Sequence, residues 1–321
     1  MNGIHDIRLP AGPQAAALFD LWTLMLITCT GVFVAIIVVL AVAVWRAPRA
    51  TAKTVPDADA HPRKETMLRR SVGFAVATSA VLLFVLLFAS FIADRAIATL
   101  PLDDAVHIDL IGHQFWWEAR YDPSDPARSF ATANEMHVPV GRPVLMTLRA
   151  DDVIHSFWVP SLAGKKDLIP GRTSTIAFRA DRAGIYRGQC AEFCGYQHAH
   201  MALIVVADAP ADYERWLVVQ RQPAREPSTA QERRGRDLVE RASCAMCHTI
   251  SGTAARGRRA PDLSHVGSRS SLAAGTLENT AASRAHWIAD PQSYKPGVDM
   301  PPLAAAPADL VAISAYLGAL Q

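Results

Sequence analysis

Two stretches constrain this chain more than any other part of it. From Leu21 to Trp45, and again from Ser71 to Ala93, no side chain carries a charge, and each run is long enough to cross a bilayer as a helix. The chain has 321 residues, half of them hydrophobic, and the apolar residues are concentrated in these runs. A cleavable signal peptide competes for the first run, but it needs a basic opening and a shorter apolar core. Residues 1–20 hold His5, Asp6, Arg8 and Asp20 with no basic cluster, so the run reads as a retained helix. Between the runs lie Arg46, Arg49, Lys53, Arg63, Lys64, Arg69 and Arg70 against Asp57, Asp59 and Glu65. Positive loops stay in the cytoplasm. The expectation is a transmembrane hairpin, with helices at about 21–45 and 71–93 and a cytoplasmic loop at 46–70. The N-terminus and everything after Ala93 then face the outer, periplasmic side. The net charge of +2 points to no particular partner, nucleic acid included.

From Ala105 the pattern becomes alternation. Val106, Ile108 and Leu110 alternate, as do Val144, Met146 and Leu148, and a later run reads MALIVV. Short strands bounded by Gly, Pro and Asp turns predict an all-β sandwich or barrel. Within it lies QCAEFCGYQHAHM, residues 189–201, in which Cys190, Cys194, His198 and Met201 are spaced C-x-x-x-C-x-x-x-H-x-x-M. Two thiolates, an imidazole and a thioether are a soft set that selects copper. Two cysteines can each bridge a pair of copper ions, and each ion then needs its own terminal His, one of which must come from elsewhere. A two-Cys, two-His zinc site would have no use for Met201. A Cys190–Cys194 disulfide would leave the other ligands unexplained. His200 is a competitor for His198. Cys29, in the first apolar run, reads as a small lipid- or helix-facing residue.

After the helix-like YERWLVV comes QRQPAREPSTAQE, polar and proline-containing, as a linker is. Beyond it, CAMCH at 244–248 is the attachment signature of a c-type haem. Cys244 and Cys247 would form the thioether links, and His248 would be the proximal iron ligand. Half of a zinc site is the competing reading, with His265 and His286 as the local candidates for further ligands.

The loop 189–201, together with the upstream segment DDVIHSFWVPSLAGKKDLIPGR, resembles subunit II of the haem–copper oxidases. The likeness is strong over 105–217 and weaker over the membrane segments. It implies a cupredoxin-like Greek-key barrel and a dinuclear CuA centre held by His155, Cys190, the Glu192 carbonyl, Cys194, His198 and Met201. It also implies a magnesium or manganese ion reached by the Glu192 side chain at the junction with subunit I. GHQFWWEARY, residues 112–121, is similar to the family's aromatic segment over the copper, whose first aromatic is a surface Trp that receives electrons from an external cytochrome c. Here Phe115 takes that place, followed by Trp116 and Trp117. The family's pattern at the start of the second helix is missing, which leaves Glu65 as a solvated loop residue. The C-terminal segment resembles a class I cytochrome c. APDLSHVGSR is similar to that family's segment in which the Pro carbonyl orients the ligand His and the Leu packs on the haem. YKPGVDMPP resembles the segment supplying the distal Met, here Met300, and DLVAISAYLGAL looks like the terminal helix, opposite a first helix over RRGRDLVERAS.

The resemblance implies a multidomain membrane protein. Residues 1–98 form a tail and transmembrane hairpin, 99–218 the copper domain, 219–231 a linker and 232–321 an all-α cytochrome c domain. Its function would be that of the subunit through which electrons enter a caa-type terminal oxidase in the bacterial inner membrane. They would pass from haem c, at a potential raised by His/Met ligation, to CuA and then to the oxygen-reducing site of subunit I. Subunit III and an external donor, such as a cytochrome c or a bc complex, are the further partners. Tethering the cytochrome raises its effective concentration, which relaxes the need for a docking aromatic at Phe115. A small subunit of a nitric oxide reductase and a membrane-tethered copper-delivery protein are the alternatives. A covalent haem argues against the second of these.

Overall fold

The structure, a computed structural model, describes residues 4–47 and 62–321. Most of the basic loop between the apolar runs, including Arg49, Lys53, Asp57 and Asp59, lies outside the described residues. The chain divides into two units, one of residues 17–99 and one that gathers the N-terminal tail with residues 100–321.

The smaller unit is built on two helices, α1 (Pro13–Arg46) and α2 (Pro62–Ala98). Both run beyond the charge-free segments, because helix formation continues past the apolar stretch until the backbone is turned aside. Their side chains are exposed along the apolar windows, as lipid-facing positions require. The hydroxyls of Thr23 and Ser90 donate to the carbonyls of Phe19 and Leu86, so these polar groups are satisfied within their own helices. Cys29 is an exposed free thiol on α1, and Glu65 is exposed in the first turns of α2.

The larger unit begins with ten strands. They are β1 (Val106–His113), β2 (Trp116–Tyr121), β3 (Phe130–Ala133), β4 (Glu135–Pro139), β5 (Pro143–Ala150), β6 (His155–Phe157), β7 (Lys166–Leu168), β8 (Ser174–Arg179), β9 (Gly184–Gln189) and β10 (Ala202–Asp208). One sheet has the order β3-β2-β1-β5-β8 and a second β4-β10-β9, while β6 and β7 form a small ribbon. The β1–β5 and β10–β4 pairings are parallel and the others antiparallel. Alternation puts Ile108 and Leu110 of β1, Met146 and Leu148 of β5, and Phe178 of β8 into one core with Trp117, Phe157 and Val205. This is the cupredoxin-like β domain that the alternation and the resemblance predict. Helix α3 (Pro210–Gln220) closes it with Tyr213 and Leu217.

The tail, grouped with the hairpin on sequence grounds, is strapped to the barrel instead. Ile4 N–H donates to the Ile185 carbonyl at 2.8 Å, Arg187 N–H donates to the Ile4 carbonyl at 3.0 Å, and Ala11 N–H donates to the Ser161 carbonyl at 2.7 Å. The edge of β9 offers unpaired backbone groups, and an added segment satisfies them.

The C-terminal part is helical: α4 (Ala230–Arg241), α5 (Cys244–Cys247), α6 (Ala281–Ala289) and α7 (Pro307–Ala319). Thr229 caps α4 by accepting from Glu232 N–H at 3.1 Å, and Glu232 accepts in turn from Ser228 N–H at 2.7 Å, a close relative of the capping box. The first and last helices cross tightly because Gly235 has no side chain. A Cβ there would lie 2.7 Å from Cβ of Tyr316 and closer still to the Ala312 carbonyl. Val239, Ile313, Tyr316 and Leu317 form the core between them. The polar stretch after α3 is not free of the fold. Ala224 N–H donates to the Ser251 carbonyl at 3.0 Å, and the Gln222 carbonyl lies 3.2 Å from Nε2 of His265.

Candidate metal centre

The loop between β9 and β10 gathers its own ligands. Its sulfurs are buried, with Cys190 2%, Cys194 3% and Met201 0% exposed. Cys190 Sγ and Cys194 Sγ lie 3.9 Å apart, nearly twice a disulfide bond of about 2.05 Å, and both thiols are free. The separation is shorter than two metal–thiolate bonds of about 2.3 Å each, so a metal ion can contact both sulfurs from either side of the line joining them. His155, fully buried at the start of β6, places Nδ1 4.0 Å from Cys190 Sγ. His198, in a single 3-10 turn, places Nδ1 3.7 Å from Cys194 Sγ. Met201 Sδ is 3.7 Å from the same sulfur, and the Glu192 carbonyl is 3.2 Å from Cys190 Sγ. Each thiol therefore has its own imidazole. His200 is exposed and turns Nδ1 to Gln197 Oε1 at 2.9 Å. The Glu192 carboxylate stands outside the one cluster of His, Cys, Asp and Glu ligand atoms found among the described residues, which comprises His155, Cys190 and Cys194.

Electrostatics favour a cation here. The Cys194 thiol, with His155 and nearby backbone groups, holds the Cys190 thiol far below its ordinary range. The resulting thiolate, together with burial, drives Cys194 well above it. Two thiolates at this distance cannot both persist without positive charge between them, and a bound metal deprotonates a coordinating thiol outright.

The support of His155 is legible only in three dimensions. Its Nε2 lies 2.8 Å from Asp152 Oδ1, the arrangement in which a ligating imidazole donates its far N–H to a carboxylate and keeps the near nitrogen for metal. Asp152 also accepts from the backbone N–H groups of Val153 at 2.6 Å and Gln114 at 2.5 Å. Burial works against both charges, yet this bond keeps Asp152 below and His155 above its ordinary pKa. The sequence signal was a carboxylate three residues before the His. Gly112, opening the aromatic segment, leaves room for the ring, since a Cβ there would sit 2.7 Å from His155 Cδ2. Gln114 Nε2 donates to the Cys194 carbonyl at 2.5 Å.

Of the three aromatics, Trp117 touches the site. It is 1% exposed, meets the His155 ring edge-on at 5.9 Å and donates Nε1–H to the Met201 carbonyl at 3.4 Å. Trp116 stacks on His113 at 4.3 Å. Phe115 is buried at 6% exposure, unlike a surface docking residue.

In the helical part, the single turn α5 puts Cys244 and Cys247 on one side. His248 Nδ1 lies 2.7 Å from the Pro261 carbonyl. Burial lowers the pKa of His248, so the neutral ring donates through Nδ1 and keeps the Nε2 lone pair for a metal. Leu263 and Met300 pack against the same core as Cys244, whereas Met246 is 71% exposed. Several polar atoms are buried without a partner: His265 Nδ1, Ser271 Oγ and Arg269 Nε. Arg269 Nη2 donates to the Asp262 carbonyl at 2.5 Å, and burial lowers its pKa. Asp262 and Glu135 pull against that shift, and the Nε–H is left as a donor that a carboxylate of a haem would accept.

Taken together, fold and sites define a membrane-associated protein of three parts. It has two helices long and apolar enough to cross a membrane, a cupredoxin-like domain with a buried Cys–His–Met loop, and a cytochrome c domain. Residues 121–208 match the family of the cytochrome c oxidase subunit II periplasmic domain, and residues 232–321 match the cytochrome c family. The chain is 37% identical over 220 residues to cytochrome c oxidase subunit 2 of Alkalihalophilus pseudofirmus, covering 68% of this chain and 62% of that one. It is 30% identical over 207 residues to the Bacillus subtilis protein of the same name, covering 62% and 57%. The periplasmic domain of subunit II of cytochrome oxidase (CoxB) of Bradyrhizobium japonicum aligns at 28% identity and a TM-score of 0.36, over 38% of this chain and 97% of that one. The matched region thus spans about three fifths of the curated relatives' lengths. The chain belongs to the cytochrome c oxidase subunit II family and carries a cytochrome c domain at its C-terminus.

Proposed function

We propose that this chain is the subunit through which electrons enter a membrane-bound haem–copper oxidase. His155, Cys190, the Glu192 carbonyl, Cys194, His198 and Met201 would hold a dinuclear CuA centre. Cys244 and Cys247 would bind haem c covalently, with His248 and Met300 as axial ligands. Bound there, the two groups supply one-electron carriers between an external donor and the oxygen-reducing site of subunit I. The observation that carries the reading is the pair of sulfurs 3.9 Å apart, each with its own imidazole.

The protein's own contribution is rigidity. Cys190 N–H donates to the Met201 carbonyl at 3.0 Å, which clamps the two ends of the metal loop together, and Asp152 fixes the His155 ring. A site that does not rearrange when its charge changes suits electron transfer, and water is excluded by Trp117 and the buried sulfurs. Because the tail from Ile4 to Ala11 is bonded to the barrel, both lie on one side of a membrane. This accords with two spans and with the positive-inside placement of that side in the periplasm. Subunits I and III, a cytochrome c or bc donor, and a magnesium or manganese ion at the Glu192 side chain complete the reading.

The test is the electron paramagnetic resonance spectrum of the purified chain. A seven-line copper hyperfine pattern is expected, and a single-copper spectrum would overturn the dinuclear assignment.

A further inference from the structure

The barrel and the cytochrome domain meet at the metal loop, and one side chain spans the contact. Lys295, from the YKPG turn that precedes Met300, is 2% exposed. Its Nζ donates to the Phe115 carbonyl of the barrel at 2.9 Å and to the Ala273 carbonyl of its own domain at 3.2 Å. Among the described residues its partners are backbone carbonyls and not carboxylates. Burying an ammonium is costly, and burial pushes its pKa down to about 8 against the pull of the Cys194 sulfur. It stays where it is only while both carbonyls stay within reach.

The neighbouring contacts converge on the same place. Gln197, 6% exposed and next to His198, donates Nε2–H to the Pro296 carbonyl at 2.7 Å. Ala202, next to Met201, donates N–H to the Ala274 carbonyl at 3.0 Å. Val298 packs against the barrel core that contains Phe115. On the outer edge, Glu135 accepts from Ser270 through both N–H and hydroxyl. The segment leading to Met300 is thus seated beside His198, and the separate turn at Ala273 and Ala274 is seated beside Met201. Phe115, in turn, is joined through Gln114 to the carbonyl of Cys194 and to Asp152 beneath His155.

We propose that Lys295, with Gln197 beside it, is the latch that seats the cytochrome domain on the metal loop. The face around Phe115 is therefore occupied by this chain's own C-terminal domain and is closed to a separate donor. The proposal rests on the functional reading above. Lys295 is a positioning residue: it bonds neither redox group, and it fixes the distance and orientation between them. The Phe115 ring itself packs in the barrel core and against Gly195 of the loop, while Lys295 takes its backbone carbonyl.

The experiment uses the full-length protein in its purified membrane complex, wild type against Lys295→Glu, with Lys295→Ala and Gln197→Ala as milder variants. Reversing the charge sets a carboxylate against two carbonyls. Two readouts are taken. The first is amide exchange at residues 195–202 and 273–275, which needs no metal. It should be roughly ten- to a hundred-fold faster in Lys295→Glu, while residues 234–239 and 311–317 keep their protection. The second is electron transfer from photoreduced haem to copper, which should slow by roughly ten- to a hundred-fold with the haem spectrum and potential unchanged. Should Lys295→Glu fail to fold, Lys295→Ala and Gln197→Ala should each move both readouts in the same direction, by a smaller factor. Unchanged exchange across the folded variants overturns the latch. Changed exchange in a chain that shows no dinuclear copper signal supports the latch and overturns the functional reading alone.

Discussion

Nε2 of His155 lies 2.8 Å from Oδ1 of Asp152 while Nδ1 of the same ring faces Cys190. One carboxylate, held by two backbone N–H groups, therefore sets both the tautomer and the direction of a buried imidazole.

Replacing that carboxylate should weaken the metal site without unfolding the barrel. Asp152→Ala is expected to lower copper affinity by roughly ten- to a hundred-fold. This is measured by competition with a chelator while circular dichroism stays that of the wild type. Copper retention equal to wild type would remove Asp152 from the site.

A single methyl group should act on the same ring from the other side. Gly112→Ala places a Cβ 2.7 Å from His155 Cδ2, and overpacking of this kind costs about 1–3 kcal/mol. The expected outcome is a lower unfolding midpoint together with a copper spectrum distorted at the His155 ligand.

The helix crossing in the cytochrome domain has as little room. Gly235→Ala would drive a Cβ into the Ala312 carbonyl and Tyr316, so α4 and α7 must separate, at a cost of about 1–3 kcal/mol or more. Thermal unfolding followed at the haem absorbance should fall by several degrees, while the copper site is untouched.

A pH dependence arises away from both sites. Burial opposes a charge on His137, but Asp208 at 2.6 Å and Glu135 at 3.8 Å raise its pKa above the ordinary value. A raised folded pKa means that the stabilisation is complete below the unfolded value of about 6.5 and is lost as pH rises through the folded value. The difference in unfolding free energy between wild type and His137→Asn should therefore be larger at pH 6 than at pH 9. At pH 6 it should approach the roughly 1.5–3 kcal/mol of a charge-assisted bond. An equal difference at both values would show that packing against Trp216, stacked at 4.4 Å, is the whole effect.

The parts legible in the sequence are those whose chemistry is local. Cys190, Cys194, His198 and Met201 sit in one short loop, so spacing alone brings them together. The same holds for Cys244, Cys247 and His248 on a single helical turn. Charge-free runs announced the two long helices, alternation announced β1 and β5 because the pattern repeats with the period of a strand, and the short apolar run MALIVV announced β10. Asp152 and Lys295 were not legible. A carboxylate near a His, or a lysine in a Pro-Gly turn, reads as solvated surface until the approach of distant backbone shows what it bonds. The tail at Ile4–Ala11 escaped for the same reason, since its mixed sequence IHDIRLPA gives no sign of the strand edge waiting for it.

By itself, then, the sequence determined the elements and the two loops that gather Cys with His, because residue identity and periodicity carry that information directly. Only the tertiary structure decided which carboxylate bonds His155, that Phe115 is buried, and that Lys295 reaches the Phe115 carbonyl. Those facts depend on groups separated by as much as 180 residues along the chain, and such contacts exist only once the whole unit has packed.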